Sequence, residues 1–277
     1  MKIGTLLLLI LLMFVVNVRA DEAKPRAYTY RMAGADSLHA YVFPPASPAK
    51  AGAGAILLFH GGGWNSGSAE WVFASAKRFA EWGLVAIAID YRLAGNDVTP
   101  VDALDDVCAS FEWARANAQS LGIAGKVAGY GVSAGGHLLA TAATVGCGPD
   151  RRGPDAILLW SPALEVANDA WFVKMLKGDR DKALQMTPAD HVTQSTPPVT
   201  IVQGASDTLT PAAGAQRFYD ALKAAGVDCE INLYPNVGHL LTRNLANQED
   251  DFDPDPDARA KAIETQRRFL ERLGYIK

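Results

Sequence analysis

"YGVSAGGHLLA" (130–140) sets Ser133 between two glycines, with a third glycine behind it and an apolar helical run beyond. The preceding "KVAGY" (126–130) reads as a buried strand, so the stretch is a strand, a sharp turn and a helix. A turn this tight holds the serine in a strained backbone conformation and lifts its hydroxyl off the sheet. Glycines two residues to either side let strand and helix approach closely. The helix N-terminus aims free N–H groups and partial positive charge at the same point. Ser133 is therefore the candidate nucleophile, within the G-x-S-x-G pattern Gly131 to Gly135.

Similar apolar runs flank it along the chain. "AILLF" (55–59) precedes a helical pattern near 69–82, and "LVAIAID" (84–90) precedes one near 101–118. "AILLW" (156–160) precedes an irregular segment. "VTIVQG" (199–204) precedes a helix near 211–225, and "EINLYP" (230–235) a last helix near 258–273. "AYTYRM" and "SLHAYVF" surround the turn-like "AGAD" and read as a hairpin. Continuous Val/Ile/Leu runs suit strands covered on both faces. Their alternation with helices implies right-handed crossovers and a mostly parallel α/β sheet. Ligands of such sheets bind outside the carboxyl ends of the strands.

The chain has 277 residues and a formal charge of −4. Its first twenty, "MKIGTLLLLILLMFVVNVRA", have a positive start, an apolar run too short for a span, and small residues at Val18 and Ala20. They read as a secretory signal peptide, residues 1–20, with no stable membrane anchor after cleavage. That implies an exported protein, periplasmic or secreted, with residues 21–277 as one domain. Loss of Lys2 and Arg19 makes the mature chain more acidic, and no basic block invites nucleic acid. The three cysteines, Cys108, Cys147 and Cys229, fit no zinc site and allow at most one bridge. They are expected to be small buried side chains. The acidic tract "EDDFDPDPD" (249–257) lacks the glycine of a calcium loop. It reads as a solvated loop with Asp257 capping the last helix.

A serine nucleophile needs a base, an orienting carboxylate and donors for the developing oxyanion. "FHGGGW" (59–64) follows a strand directly, and its glycines can aim N–H groups into a cavity. Gly62 and Gly63 are the expected oxyanion donors with Ala134 as the third; Gly63 and Trp64 are a shifted alternative. His60 is expected to brace this loop. In a strand-turn-helix arrangement the order is Ser, acid, His. His239 in "YPNVGHLL" and Asp207 in "VTIVQGASD" both lie just past strand ends. His137 sits one helical turn below Ser133, and His191 lies in the irregular segment. Asp220 and Asp228 read as surface charges, and Glu165 and Asp169 remain alternative acids.

Taken together, "HGGGW", "IDYRL" (89–93), "GVSAGGHLLA" (131–140), "WSPAL" (160–164), "SDTLTP" (206–211) and "VGHLL" (237–241) resemble the α/β-hydrolase superfamily. The match is to its bacterial hormone-sensitive-lipase-like and acetyl-esterase-like branch. The resemblance implies an eight-stranded, mostly parallel sheet whose second strand is antiparallel. It implies Ser133, Asp207 and His239 as the triad, no cofactor or metal, and carboxylic esters as small-molecule substrates, often acetyl esters. Val132 stands where lipase-like relatives often carry an acidic residue, and no N-terminal cap fits before the first central strand.

Three readings follow: a serine carboxylesterase for short acyl groups, an amidase, formamidase or peptidase on the same triad, and a non-catalytic binding protein on a hydrolase scaffold. Segment 161–198 is a candidate small lid. It offers little apolar wall, so the expected pocket is shallow, with Trp64 and Trp171 as flat faces for a sugar or aryl alcohol. Nothing in the sequence fixes the oligomeric state.

Overall fold

The computed structural model describes residues 24–34, 36–46 and 53–277. The expected signal peptide lies outside the described residues. Among them no helix is long and apolar enough to cross a membrane.

The chain runs β1 (Arg26–Ala33), β2 (Asp36–Phe43), β3 (Ala53–Phe59), α1 (Phe73–Glu81), β4 (Val85–Ile89), α2 (Pro100–Ala116), α3 (Ala118–Leu121), β5 (Ile123–Val132), α4 (Ala134–Thr144) and β6 (Ile157–Trp160). It continues through α5 (Ala170–Met175), α6 (Arg180–Gln185), β7 (Val199–Gly204), α7 (Ala212–Ala224), β8 (Cys229–Tyr234) and α8 (Pro256–Arg272). The eight strands form one sheet in the order β1-β2-β4-β3-β5-β6-β7-β8. β2 runs antiparallel to both neighbours, and the pairs from β4 to β8 are parallel.

The apolar runs are central strands because neither face meets water. Side chains alternate across the sheet. Leu57 and Phe59 of β3 join one core with Ile87, Ile89, Phe111, Leu138 and Phe218, under α2, α4 and α7. Ile56 and Leu58 join the opposite core with Phe79, Tyr130, Leu158, Trp160 and Phe269, under α1 and α8. The loop after β4 is fixed by a half-buried charge cluster centred on the buried Asp106. Arg92 makes a two-pronged contact with Asp106 of α2, Nε to Oδ2 at 2.8 Å and Nη2 to Oδ1 at 2.9 Å. Thr99 and Asp102 close a capping box on α2, with Pro100 in its first turn.

Two expectations need correction. Cys108 and Cys147 are bonded, with Cα atoms 5.4 Å apart, and Cys229 stays free. Packing of α2 against α4 brings the two sulfurs together, a distance that spacing cannot show. The last helix is capped by Asp255, whose carboxylate accepts from the Ala258 N–H at 2.8 Å, and not by Asp257. Pro256 takes the first helical position, where its missing N–H costs nothing.

Candidate active site

The site begins at the carboxyl end of β5. Val132 pairs with Trp160 of β6, and the Ser133 N–H donates to the Trp160 carbonyl at 3.0 Å. Ser133 then reverses direction at φ 51°, ψ −117°, and α4 starts at Ala134. A non-glycine residue at positive φ is strained, and here the surroundings hold it. A Cβ at Gly131 would sit 2.6 Å from the Gly135 carbonyl oxygen, so strand and helix meet at glycine spacing.

Asp207 follows β7 and is buried at 5% exposure. An ionised carboxylate only accepts, and both oxygens are supplied with donors. Oδ1 takes the N–H groups of Leu209 at 3.0 Å and Thr210 at 2.8 Å. Oδ2 takes Gln203 Nε2 at 2.8 Å and faces His239 Nδ1 at 2.9 Å. The Thr210 hydroxyl lies 2.8 Å from Oδ2, 3.1 Å from the Ser161 carbonyl oxygen and 3.1 Å from His239 Nδ1. His239 opens a short 3₁₀ turn after β8, and its N–H donates to Gln248 Oε1 at 2.9 Å. Gln248 also binds the Thr208 N–H and the Ser206 carbonyl, so one amide clamps both loops. With Nδ1 occupied by Asp207, Nε2 of His239 is left for the cleft that Ser133 also lines. Ser133 Oγ makes no hydrogen bond with a protein group among the described residues, a looseness usual before substrate arrives.

Gly61, Gly62 and Gly63 line the same cleft. Gly62 turns at φ 109°, and its carbonyl takes the Ser66 N–H and hydroxyl, at 3.0 and 2.8 Å. Among the described residues no acceptor takes the Gly62 or Gly63 N–H. Ala134 contributes the first N–H of α4, which has no intrahelical partner. His60 braces this loop from below: its ring stacks on Tyr91 at 4.2 Å, and the Tyr91 hydroxyl donates to the His60 carbonyl at 2.7 Å. Burial lowers the His60 pKa.

Residues 56–243, more than half of the chain, match the family model for the alpha/beta hydrolase fold. The chain belongs to the α/β-hydrolase family. Esterase LipC of Mycobacterium tuberculosis is 31% identical over 196 residues, 61% of this chain and 48% of LipC. An acetylxylan esterase of Xylanibacter ruminicola is 27% identical over 242 residues, 83% of this chain and 48% of its own length. The chain thus spans about half the length of these two curated relatives. Among solved structures, native esterase 2 of Thermogutta terrifontis is 28% identical with a TM-score of 0.76, covering 91% of this chain and 94% of its own. The same esterase has been solved with propionate and with butyrate bound, and phosphonylated by sarin.

Within this α/β-hydrolase the remaining sequence candidates separate cleanly. His137 is buried: Trp64 Nε1 donates to its Nδ1 at 3.1 Å, and its Nε2 faces the Met186 carbonyl at 2.9 Å. His191 sits beside the Leu184 carbonyl, away from the cleft. Glu165 pairs with Arg217, and Asp169 caps α5. Asp220 and Asp228 bind Gln216 and Arg272 at the surface. Among the described residues no three His, Cys, Asp or Glu side chains are grouped to hold a metal.

Trp64 does not offer a face to the cleft. At φ 65° its side chain turns into the core, 4% exposed, against His137 and Phe172. Trp171 of α5 does line the cleft, and its Nε1 reaches the Gly63 carbonyl at 3.4 Å. The cleft itself holds about 820 Å³, and its apolar lining is larger than the sequence led one to expect. Its apolar walls come from Trp71, Tyr130, Trp160, Leu209, Leu240 and Phe252. Only Trp171 is drawn from 161–198. The acidic tract, expected to be a solvated loop, supplies Glu249, Asp250, Phe252 and Pro254 to the rim. Sequence reasoning missed Gln203, Thr210 and Gln248. A glutamine ending the apolar run "VTIVQG" is the one signal that was available.

Proposed function

We propose that this protein is a serine carboxylesterase for short acyl groups, acting through an acyl-enzyme on Ser133. The observation that carries the reading is one cleft lined by Ser133, by His239 on a fully hydrogen-bonded Asp207, and by the Gly62–Gly63 backbone. His239 Nε2 takes the Ser133 proton as Oγ bonds to the ester carbonyl carbon. The resulting oxyanion accepts from the N–H groups of Gly62, Gly63 and Ala134, each contributing about 3 kcal/mol. The imidazolium, held by Asp207, then protonates the alcohol oxygen as its bond to carbon breaks. Water repeats the sequence on the acyl-enzyme, with His239 again as base, and releases the acid. None of these steps calls on a metal or cofactor.

The Thermogutta esterase, solved with propionate and butyrate, supports a short acyl group, and the name of the Xylanibacter relative supports an acetyl group on a carbohydrate. The first twenty residues support export. The deciding experiment is p-nitrophenyl acetate turnover combined with intact mass after treatment with an organophosphate. One adduct is expected, on Ser133, and Ser133→Ala should lose at least about 10³-fold in kcat/KM. An adduct elsewhere, or an active Ser133→Ala protein, removes the assignment. The matched acetanilide separates ester from amide cleavage.

A further inference from the structure

The cleft continues well past the reacting groups. From Ser133 it follows β5 back between α1 and α8, over Trp160 and Tyr130. Tyr130 precedes Ser133 by three residues, about 10 Å at the strand rise of about 3.3 Å per residue. At that end lie Ser75 and Arg78 of α1 and Arg259 of α8.

Arg78 is held but not satisfied. Its guanidinium lies 5.3 Å from the Phe79 ring and 5.8 Å from the Trp82 ring, and Nη2 reaches Ser75 Oγ at 3.3 Å. Its Nε is buried with no acceptor. Among the described residues neither Arg78 nor Arg259 forms an ion pair. The Arg78 Nε is closed off from the cleft, so contact with a ligand falls to the terminal Nη groups, and a carboxylate offers two acceptors in the plane that a guanidinium presents. The Tyr130 phenol places both cations at this end: burial raises its pKa, and the Arg78 charge, hydrogen bonds from Ser75 and Arg78, and the Arg259 charge pull it down. Glu249 and Asp250 line the cleft too; like Arg259 they are exposed, so solvent screens all three, and the half-buried Arg78 is the strongest charge at this end.

We propose that this end of the cleft recognises a carboxylate on the substrate, held by Arg78 and Arg259 while the ester carbonyl sits at Ser133. The proposal rests on the esterase reading. A short acyl group leaves the long arm of the cleft to the alcohol, so the substrate class is an acetylated hydroxy acid whose carboxylate is separated from the ester by a spacer of about one aromatic ring, comparable to the three-residue strand step of about 10 Å from Ser133 to Tyr130. The test compares 3-(4-acetoxyphenyl)propionate with its uncharged amide. The acid should have a kcat/KM at least about tenfold higher, the value of one charge-assisted hydrogen bond. Arg78→Gln and, at an exposed position that cannot disturb folding, Arg259→Gln should each bring that ratio towards one. Calorimetry with the products supplies a readout that needs no turnover: 3-(4-hydroxyphenyl)propionate should bind about tenfold more tightly than its amide. Equal handling of acid and amide in both measurements overturns the proposal, as does a preference for the amide, which would give the charge choice to Glu249 and Asp250. A protein that binds the acid selectively but cleaves no acetate keeps the carboxylate site and loses the esterase reading.

Discussion

Thr210 has more neighbours than its hydroxyl has protons. One proton serves Asp207 Oδ2 or the Ser161 carbonyl, while the oxygen lone pairs face His239 Nδ1. It therefore fixes the angle at which Asp207 meets the imidazole, as a positioning residue. Thr210→Val should lower kcat about tenfold or more with little change in KM, and Thr210→Ser should restore most of it; a shift confined to KM would count against this role. Asp207→Asn should cost as much as about 10⁴-fold in kcat in a folded protein. His137 makes a different prediction, about stability. Burial lowers its pKa to about 4, against about 6.5 when unfolded. The unfolded chain thus binds the extra proton between these values, and stability must fall as pH drops from about 6.5 to 4. The loss from this group is on the order of 3 kcal/mol. Urea midpoints across that range check it, and a flat profile would show that His137 is not buried neutral. The triad was legible because each member follows a strand end in the expected chain order. Thr210 and Gln248 were not. Thr210 stands three residues after Asp207, but that spacing does not show its reach to His239 and to Ser161, 49 positions away, and Gln248 precedes an acidic tract that reads as solvated loop.

At the level of elements, the junction of β3, β5 and α4 is controlled by absent side chains. A Cβ on Gly135 would run into the Phe59 and His60 carbonyl oxygens, and both of those are backbone. Gly95, in the loop after β4, has no atom within 4 Å of the place a Cβ would take, and its φ is not positive. Gly135→Ala should therefore cost at least about 3 kcal/mol, and Gly95→Ala less than about 0.5 kcal/mol. Thermal unfolding of the pair checks both, and similar melting temperatures would refute the close approach. The disulfide acts at the same scale, tying α2 to the chain just beyond α4 across 39 residues. Removing it with Cys108→Ala should cost about 2 to 4 kcal/mol, read from denaturant midpoints. The strands and the longer helices α1, α2, α4, α7 and α8 were legible to within a few residues because their apolar periods are strong, whereas the one-turn-scale α5 and α6 lie in the stretch that read as irregular. Which helices touch which was not, and so the bridge was not.

For the whole molecule, the cleft is what the sequence concealed. Its walls come from α1 and the turn before it, the ends of β5 and β6, the loop after β7 and the tract before α8. No contiguous apolar stretch announces such a groove, because each segment contributes one or two side chains. Trp64 misled for the related reason that a single positive φ decides which side its ring faces. If the long arm receives the alcohol, p-nitrophenyl acetate and propionate should be cleaved fastest, with kcat/KM falling by butyrate to hexanoate. Each additional buried methylene would contribute about 0.8 kcal/mol if the arm took the acyl chain instead. A maximum at octanoate or longer would reverse the two ends of the substrate in the cleft.

The bond between Cys108 and Cys147 also leaves a record of where a given molecule was made. Oxidising compartments close such bridges and the cytosol keeps them open. With three cysteines in the chain, a molecule matured outside the cytosol presents a single titratable thiol, Cys229, after denaturation, and one retained inside presents three. Alkylation followed by weighing the intact chain therefore sorts any preparation by its folding history, before a substrate is ever added.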